Sequence, residues 1–271
     1  MDKKRTALKV ILTVAVTGFI VCIAIVGYYF YSLQHSKNTF AKLQDAKNEA
    51  VVEQETSVEV ASKEEETETV AEEEEYVSPI DFAELKKDVN GDIYAWIQVD
   101  GTTVDYPVLQ HESDNTYYMT HNLDDSYGYP GCIYTEFFNN EGFIDPITAV
   151  YGHYMKDGTM FASLHRFMDK DFFDEHDSIV IYLPEEEKHY TIVAATYTDD
   201  KRITVWYDMF SEEGMQEWVD FVLSTEETDT NHLREMELST DDTFIALETC
   251  VDGDGSSRYL VVAVEDKESE N

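Results

Sequence analysis

Residues 244–264 read FIALETCVDGDGSSRYLVVAV, and this stretch decides the fold of the chain. An apolar run ends at Cys250, a Gly-rich segment follows at 252–255, and a second apolar run extends from Arg258 to Val264. Apolar, β-branched runs separated by Asp and Gly predict two strands joined by a short turn. If the two strands pair across that turn, Arg258 lies beside Cys250.

Strand signals continue upstream, with helical patterns between them. Apolar or alternating runs bounded by turn residues predict strands at 93–99, 102–109, 132–136, 147–151, 178–183, 189–198 and 202–207. Helical spacing of apolar residues predicts helices over 160–167 and 211–223. Ser78, which is followed by Pro, is the predicted N-cap of an earlier helix that ends at Asn90. Many short strands and few helices predict one mostly-β domain, a barrel or a sandwich, over residues 79–266.

Residues 10–31 carry no charge and predict a membrane span. As a helix they extend over about 33 Å, enough to cross a bilayer core, and the aromatic residues 28–31 suit its interface. A cleaved signal peptide fits less well, because the apolar run is long and no small-residue cleavage site follows. A buried core helix is rarely apolar on all sides. Four cations precede the run and only Lys37 follows closely, which predicts a cytoplasmic N-terminus and an extracellular body.

The charge of the chain is strongly acidic and unevenly distributed. The 57 Asp and Glu residues outnumber the 19 Lys and Arg residues, and a net charge of −38 argues against binding to nucleic acid through its phosphates. A content of 43% hydrophobic residues excludes a disordered chain. Residues 41–79 hold thirteen acids against three lysines, so an extended or partly helical solvated stalk is expected, with a partner-binding acidic segment as the alternative.

This distribution predicts four regions in sequence order. They are a basic cytoplasmic tip at 1–9, a transmembrane anchor at 10–31, an acidic extracellular stalk at 32–78 and a globular domain at 79–271.

Two cysteines lie in the predicted extracellular part, and one of them has the position of a nucleophile. Cys132 and Cys250 can form one disulfide, or Cys132 can pack as a small hydrophobic residue. Cys250 ends a strand immediately before a loop, where a side chain is both held and accessible. The permanently charged guanidinium of Arg258 can favour a thiolate, hold a carbonyl or stabilise an oxyanion, although a surface ion pair is its ordinary role.

A proton carrier completes this set of candidate residues. His153 follows the strand predicted at 147–151 and comes directly after a glycine, so it is placed over a cleft at a strand exit. No H-x-x-x-H, HExxH or CxxC pattern occurs in the sequence. The residues 252–256 lack the glycine and the glutamate of a calcium-binding loop. We therefore predict no metal and no cofactor.

These motifs resemble those of the sortases, the cysteine transpeptidases of Gram-positive cell surfaces, and most closely those of class B. The resemblance covers about residues 79–265. Its central motifs are Tyr-Gly-His-x-Met at 151–155, Leu-x-Thr-Cys at 247–250 and Arg-Tyr-Leu-Val-Val at 258–262. Supporting matches are Trp-Ile at 96–97, Gly-Thr at 101–102, Asp-Tyr-Pro-Val-Leu-Gln at 105–110, Asp-Asn-Thr-Tyr-Tyr-Met at 114–119 and Gly-Thr-Met-Phe at 158–161.

The resemblance implies a closed eight-stranded β-barrel with added helices and a set of site residues. It makes Cys250 the nucleophile, His153 the general acid and base, and Arg258 the residue that binds the scissile carbonyl. It places Asn115 and Tyr151 near the substrate groove. The chain departs from class B at Glu248, where a small hydroxyl residue is common. Even spacing on a strand puts Glu248 on the side of Cys250, so we expect it either to alter substrate choice or to disfavour the thiolate of Cys250.

The implied reaction is a transpeptidation in two steps. Cys250 attacks the carbonyl of a Thr in the C-terminal sorting signal of a surface protein and forms a thioacyl-enzyme. A peptidoglycan precursor amine then takes the acyl group, or a pilin lysine does so in a pilus-polymerising enzyme. Two other classes are alternatives. A papain-like protease has the opposite order of Cys and His and a motif that is absent here. A membrane-tethered binding domain without activity would not need Cys250, His153 and Arg258 together.

Overall fold

The computed structural model describes residues 2–64, 76–200, 202–251 and 254–267. Residues 252–253 of the predicted turn and part of the predicted stalk therefore lie outside the described residues. The strands are β1 (Ile93–Val99), β2 (Asp105–Leu109), β3 (Ile133–Thr135), β4 (Ile147–Tyr151), β5 (Ser178–Tyr182), β6 (Glu187–Asp199), β7 (His232–Leu233), β8 (Phe244–Val251) and β9 (Asp254–Glu265). The helices are α1 (Asp2–Glu64), α2 (Phe82–Asp88), α3 (Tyr117–Thr120), α4 (Lys170–Glu175), α5 (Ile203–Trp206), α6 (Glu212–Leu223) and a 3-10 helix (Phe161–Met168).

Eight of the strands form a closed barrel. Their order is β5-β1-β2-β3-β4-β8-β9-β6, and β6 pairs back to β5, while the two-residue strand β7 pairs with another part of β6. The pairs β2–β3 and β4–β8 are parallel, and the remaining pairs are antiparallel. Closure gives each of the eight strands two hydrogen-bonded neighbours and so removes exposed sheet edges. The expected eight-stranded barrel with added helices is confirmed.

The continuous apolar runs of β8 and β9 arise because both faces of these strands are covered. On β8, Ile245 and Leu247 belong to the large core cluster that also contains residues of β1, β2 and β5. Phe244 and Ala246 point the other way and join a second cluster with Trp218 of α6. A strand buried on both faces does not alternate between apolar and polar residues, which is the pattern that the sequence shows here.

One predicted strand is wrong, and one predicted cap is displaced. Residues 202–207 contain the short helix α5 instead of a strand, because their backbone bonds are local, as from the N–H of Trp206 to the carbonyl of Arg202. No strand in the described part of the chain pairs with this segment, so its β-branched residues have no ladder to join. At the start of the domain, the N-cap of α2 is Asp81 and not Ser78. The carboxylate of Asp81 accepts the N–H of Glu84 at 2.8 Å.

The N-terminal helix α1 contains the predicted anchor. Its stretch Arg5–Asp45 is long and apolar enough to cross a membrane, and none of its most apolar window is buried against the rest of the protein. The hydroxyls of Thr13 and Thr17 donate hydrogen bonds to the carbonyl oxygens one turn earlier. These bonds lower the free-energy cost of placing the two hydroxyls in an apolar helix. This helix is compatible with a single membrane span.

Beyond the apolar run, α1 packs against the barrel instead of standing in solvent as the stalk prediction expects. The buried side chains Ser32, Ser36, Phe40 and Lys47 repeat at helical spacing and so form one face of α1. The ring of Phe40 meets that of Tyr106 edge to face, with 5.2 Å between the centroids. The prediction counted charges and overlooked this face.

An ion pair at Lys47 also fixes this helix to the barrel. The side chain of Lys47 is 3% exposed, and its Nζ lies 2.6 Å from Oδ1 of Asp105. The same oxygen accepts the indole N–H of Trp96 at 2.7 Å. Lys47 also lies over the ring of Tyr182, 5.0 Å from its centroid. A buried charge is stable only with such partners, so this pair requires α1 to sit in one position on the barrel.

The change Lys47→Ala should lower the free energy of unfolding of the full chain in detergent micelles by roughly 2–4 kcal/mol, because Asp105 would lose its cation. Denaturant unfolding followed by tryptophan fluorescence measures the change. Lys42→Ala is the matched control, since Lys42 lies exposed on the same helix, and we expect a change within about 0.5 kcal/mol. Equal effects of the two changes would contradict the docking of α1.

Candidate active site

The parallel pairing of β4 with β8 brings two distant segments to one end of the barrel. Tyr151 is the partner of Glu248 in this ladder, and the N–H of Gly152 donates to the carbonyl of Glu248 at 3.2 Å. His153 follows Tyr151 by two residues, and Cys250 follows Glu248 by two. Because parallel strands run in the same direction, His153 and Cys250 lie at the same end of the sheet.

The antiparallel pairing of β8 with β9 supplies the third residue. Arg258 is the direct partner of Cys250 in this ladder. The register shifts between Cys250 and Val251, at the point where the turn begins. The structure confirms that these two strands pair and that the backbone positions of Arg258 and Cys250 lie opposite each other.

All six residues singled out from the sequence line one cavity of about 130 Å³. Its lining residues are Asn115, Met119, Tyr134, Tyr151, Gly152, His153, Asp200, Arg202, Glu248, Thr249, Cys250 and Arg258. Their side chains combine a thiol, an imidazole, two guanidinium groups and two carboxyl groups. This set can perform nucleophilic chemistry with proton transfer and oxyanion binding.

His153 is held by its backbone neighbours and by one hydrogen bond. Its Nε2 lies 2.7 Å from the carbonyl oxygen of Met119, so Nε2 carries a proton and donates it. Nδ1 is then the ring nitrogen that can gain and lose a proton. Burial lowers the pKa of His153, which keeps the free imidazole neutral at pH 7. The ring also packs on Tyr129, with 5.0 Å between the centroids.

Gly152 is required because the side chains of Ile133 and Phe161 leave no room for a Cβ atom at this position. A Cβ atom at this position would lie 2.5 Å from Cδ1 of Ile133 and 2.6 Å from Cγ of Phe161. Any other residue would therefore push the backbone, and His153 with it, away from the end of the strand.

Glu248 is a buried carboxyl group beside the thiol. It is 6% exposed, and its Oε1 lies 3.4 Å from Nε of Arg258. Burial raises the pKa of Glu248 from 4.5 to about 7, although the charge of Arg258 opposes this shift. The charge of this site therefore changes close to neutral pH.

Asn115 and Tyr151 line the cavity through structural contacts. The side-chain oxygen of Asn115 accepts the N–H of Phe137 at 2.8 Å, which ties the loop after β3 to the loop before α3. The ring of Tyr151 stacks on Tyr134, with 5.4 Å between the centroids. Both residues form part of the wall of the cavity.

The sequence reasoning missed an ion pair behind the cavity. The fully buried Glu136 accepts a hydrogen bond from Nη1 of Arg202 at 3.1 Å and a second one from the hydroxyl of Thr204. These contacts hold α5 and the segment before it against the end of β3. Glu136 and Arg202 stand 66 residues apart in the sequence, and no local pattern relates them.

The cysteines do not form the disulfide that the sequence left open. Cys132 and Cys250 are both free thiols. Cys132 is fully buried, and its Sγ lies 3.5 Å from the carbonyl of His121, so it packs as a small hydrophobic residue. Cys250 is partly exposed to the cavity. Within the described ranges, no group of three or more His, Cys, Asp or Glu side chains is arranged to hold a metal ion.

Comparisons with known proteins agree with this arrangement. The family model of the sortase domain matches residues 97–266. Sortase B of Listeria monocytogenes is 41% identical over 96 residues, which span 35% of this chain and 38% of that protein. Sortase B of Staphylococcus aureus is 27% identical over 186 residues, 67% of this chain and 73% of that protein. The crystal structure of Clostridium perfringens sortase B superposes with a TM-score of 0.60 and 27% identity, over 68% of this chain and 99% of that one.

The buried carboxyl group of Glu248 predicts a pH dependence of stability. Between about pH 4.5 and 7 the folded protein keeps a proton on Glu248 that the unfolded chain has released, so the free energy of unfolding falls as pH rises through this window. Glu248→Gln removes the titrating group. The wild type should therefore lose on the order of 3 kcal/mol relative to Glu248→Gln between pH 4 and 8.

Denaturant unfolding of both proteins across this pH range measures the difference. Glu217→Gln is the control, because Glu217 lies on the exposed side of α6. A difference between the wild type and Glu248→Gln that does not change with pH would contradict the burial of this carboxyl group.

Proposed function

This chain belongs to the sortase family, with class B sortases among its relatives, and on that premise we propose that it is a membrane-anchored cysteine transpeptidase of a Gram-positive cell surface. It cleaves the C-terminal sorting signal of surface proteins after Thr and transfers the protein to the amine of a peptidoglycan precursor. The observation that carries the proposal is the convergence of Cys250, His153 and Arg258 on one cavity through two strand pairings.

In the first step, Nδ1 of His153 takes the thiol proton of Cys250, and the resulting thiolate attacks the carbonyl carbon of the Thr–x bond. Arg258 binds the carbonyl oxygen and stabilises its negative charge in the tetrahedral intermediate, since a guanidinium is always charged and offers several donors. Protonated His153 gives the proton on Nδ1 to the departing amine, because Nε2 is engaged with Met119. The products are a free amine, a neutral His153 and a thioester on Cys250.

In the second step, an acceptor amine attacks the thioester and releases the thiolate. The covalent intermediate divides one amide exchange into two easier reactions and lets an amine compete with water. No added cofactor is required, since the thiol, the imidazole and the guanidinium supply all of the chemistry.

The N-terminal helix gives the enzyme its location in this proposal. Residues 10–31 cross the cell membrane once, and the cations before them keep the N-terminus in the cytoplasm. The barrel then faces the cell wall. A membrane-tethered enzyme searches for its membrane-bound substrates in two dimensions, which favours their encounter.

Replacing the proposed nucleophile tests the enzyme class directly. Cys250→Ala should abolish both labelling of the barrel by a thiol reagent and cleavage of sorting peptides, since no other accessible thiol lies in the described part of the domain. Cys132→Ala is the control and should retain both, because Cys132 is buried. Mass spectrometry of labelled protein and chromatography of cleaved peptides give the two readouts. Cleavage that survives in Cys250→Ala would exclude Cys250 as the nucleophile. Absence of cleavage in the wild type would exclude the proposal and favour a binding domain.

A library of sorting pentapeptides tests the substrate class. By the resemblance to class B, we expect cleavage of motifs of the Asn/Ser-Pro-x-Thr type in preference to Leu-Pro-x-Thr-Gly. The measurement is kcat/KM for each peptide with the full chain in detergent micelles. Turnover of Leu-Pro-x-Thr-Gly peptides alone would contradict class B specificity. Transfer to a pilin lysine in place of a peptidoglycan precursor amine would identify a pilus-polymerising enzyme.

A further inference from the structure

Glu248 is a buried acid that the steps above do not use. It stands two residues before Cys250 on β8, so the two side chains leave the same face of the strand, and both line the same cavity. This face is the one that packs against α6 at the other end of β8. A carboxyl group on an otherwise apolar face, next to a nucleophile, calls for a chemical reason.

One oxygen of this carboxyl group has no partner. Oε1 faces Arg258, whereas Oε2 is buried and accepts no hydrogen bond within the part of the chain that the structure describes. Burial of an acceptor without a donor costs free energy, so native proteins rarely retain one unless a ligand satisfies it. In a cavity beside a reactive thiol, this oxygen indicates a place for a donor on the substrate.

The ionisable groups around Glu248 have a net negative charge, which favours binding of a cation. Among the described residues, the charged groups that act on Glu248 are Arg258 of β9, Arg202, Glu136 after β3 and Asp199 at the end of β6. Together with Glu248 they carry two positive and three negative charges when ionised. Asp200 adds a further acid at the exposed rim. An arriving ammonium group would therefore meet a site with a net negative charge, although two guanidinium groups line it.

The second step of a transpeptidase needs two proton acceptors. A lysine-type amine has a pKa of about 10.4 and reaches the enzyme as an ammonium ion, which has no lone pair for attack. Its conversion to an amide nitrogen releases two protons. Neutral His153 can take one of them, and Arg258 can take none because it is already protonated. A second acceptor close to the thioester would let the bound ammonium ion react without first losing a proton to solvent.

We propose that Glu248 forms the subsite for the acceptor amine, where its carboxylate binds the ammonium group and takes the first of the two protons. The inference rests on the transpeptidase function proposed above. The neutral amine attacks the thioester carbonyl carbon, the new C–N bond forms, and the C–S bond breaks with its electrons left on sulfur. The second proton passes from nitrogen to Nδ1 of His153. The step ends with an amide, a thiolate, an imidazolium and a protonated Glu248, which then loses its proton to solvent.

The environment of Glu248 supports this role. A general base works best when its pKa lies near the operating pH, and burial raises the pKa of Glu248 to about 7. A fully solvated carboxyl group would bind the ammonium ion but would be a poor acceptor for its proton.

The experiment measures how the thioacyl-enzyme divides between acceptors. The full chain in detergent micelles is given a cleavable sorting peptide and either Nα-acetyl-lysine amide or hydroxylamine, and the transfer and hydrolysis products are quantified by chromatography. The ratio of these products depends only on the second step, so a slower first step does not affect it. Hydroxylamine is mostly uncharged at pH 7 and needs no ammonium subsite.

In Glu248→Gln, the ratio of lysine amide product to hydrolysis product should fall on the order of 100-fold, the lower end of what a positioned base contributes. The hydroxylamine ratio should stay within about twofold of the wild type, since this nucleophile arrives neutral. Glu217→Gln is the matched control, because it removes an exposed carboxylate of α6 that does not line the cavity. Its lysine amide ratio should also stay within about twofold of the wild type.

Other results of this experiment would overturn either the inference about Glu248 or the proposed function. A lysine amide ratio in Glu248→Gln within roughly threefold of the wild type, or an equal fall for hydroxylamine, would overturn the inference. A variant that forms no thioacyl-enzyme would overturn it as well, because Glu248 would then serve the first step through Arg258. Glu248→Ala should likewise lose lysine transfer, and added formate should restore it in part by replacing the carboxylate. If the wild type forms no thioacyl-enzyme on Cys250, the proposed function itself fails.

Discussion

The register of β8 between its two neighbours is the constraint on which the site depends. On one side β8 runs parallel to β4, which aligns the exits that carry Cys250 and His153. On the other side it runs antiparallel to β9, which sets Arg258 opposite Cys250. Because side chains alternate along a strand, a slip of one residue in β8 would turn Cys250 and Glu248 to the opposite face. The two ladders and the packing on both faces together prevent such a slip.

The two faces of β8 and β9 have different roles: one forms the core of the barrel, and the other contacts α6 and the cavity. One face fills the barrel with residues such as Leu247 and Val261. The other face packs Phe244 and Leu260 against α6 and, at its far end, opens into the cavity with Glu248 and Cys250. The polar residues therefore sit at the rim of an apolar layer, where burial perturbs their protonation. This explains why Glu248 holds its proton up to nearly neutral pH.

Burial of apolar side chains and pairing of a buried charge also determine which part of the N-terminal helix packs on the barrel. The most apolar part of this helix is not buried against the rest of the protein, whereas its following turns place Phe40 and Lys47 against the barrel. A single helix thus leads from the candidate membrane span to the domain. The acidic surplus of the segment does not prevent docking, because the residues on the docking face are mostly small, apolar or paired with Asp105.

The sequence by itself determined the features that depend on neighbouring residues. The strands at β1 and β4, the helix α6, the apolar span and the proximity of Arg258 to Cys250 follow from local periodicity or from a short turn. The resemblance to known motifs identified His153, which spacing alone does not relate to Cys250. Tertiary structure alone decided the rest. It made α5 a helix where β-branched residues predicted a strand, since no neighbouring strand was available. It also paired Arg202 with Glu136, seated Lys47 on the barrel and left one oxygen of Glu248 without a partner. These outcomes depend on contacts between segments far apart in the chain, and no local pattern of residues encodes which segments will meet.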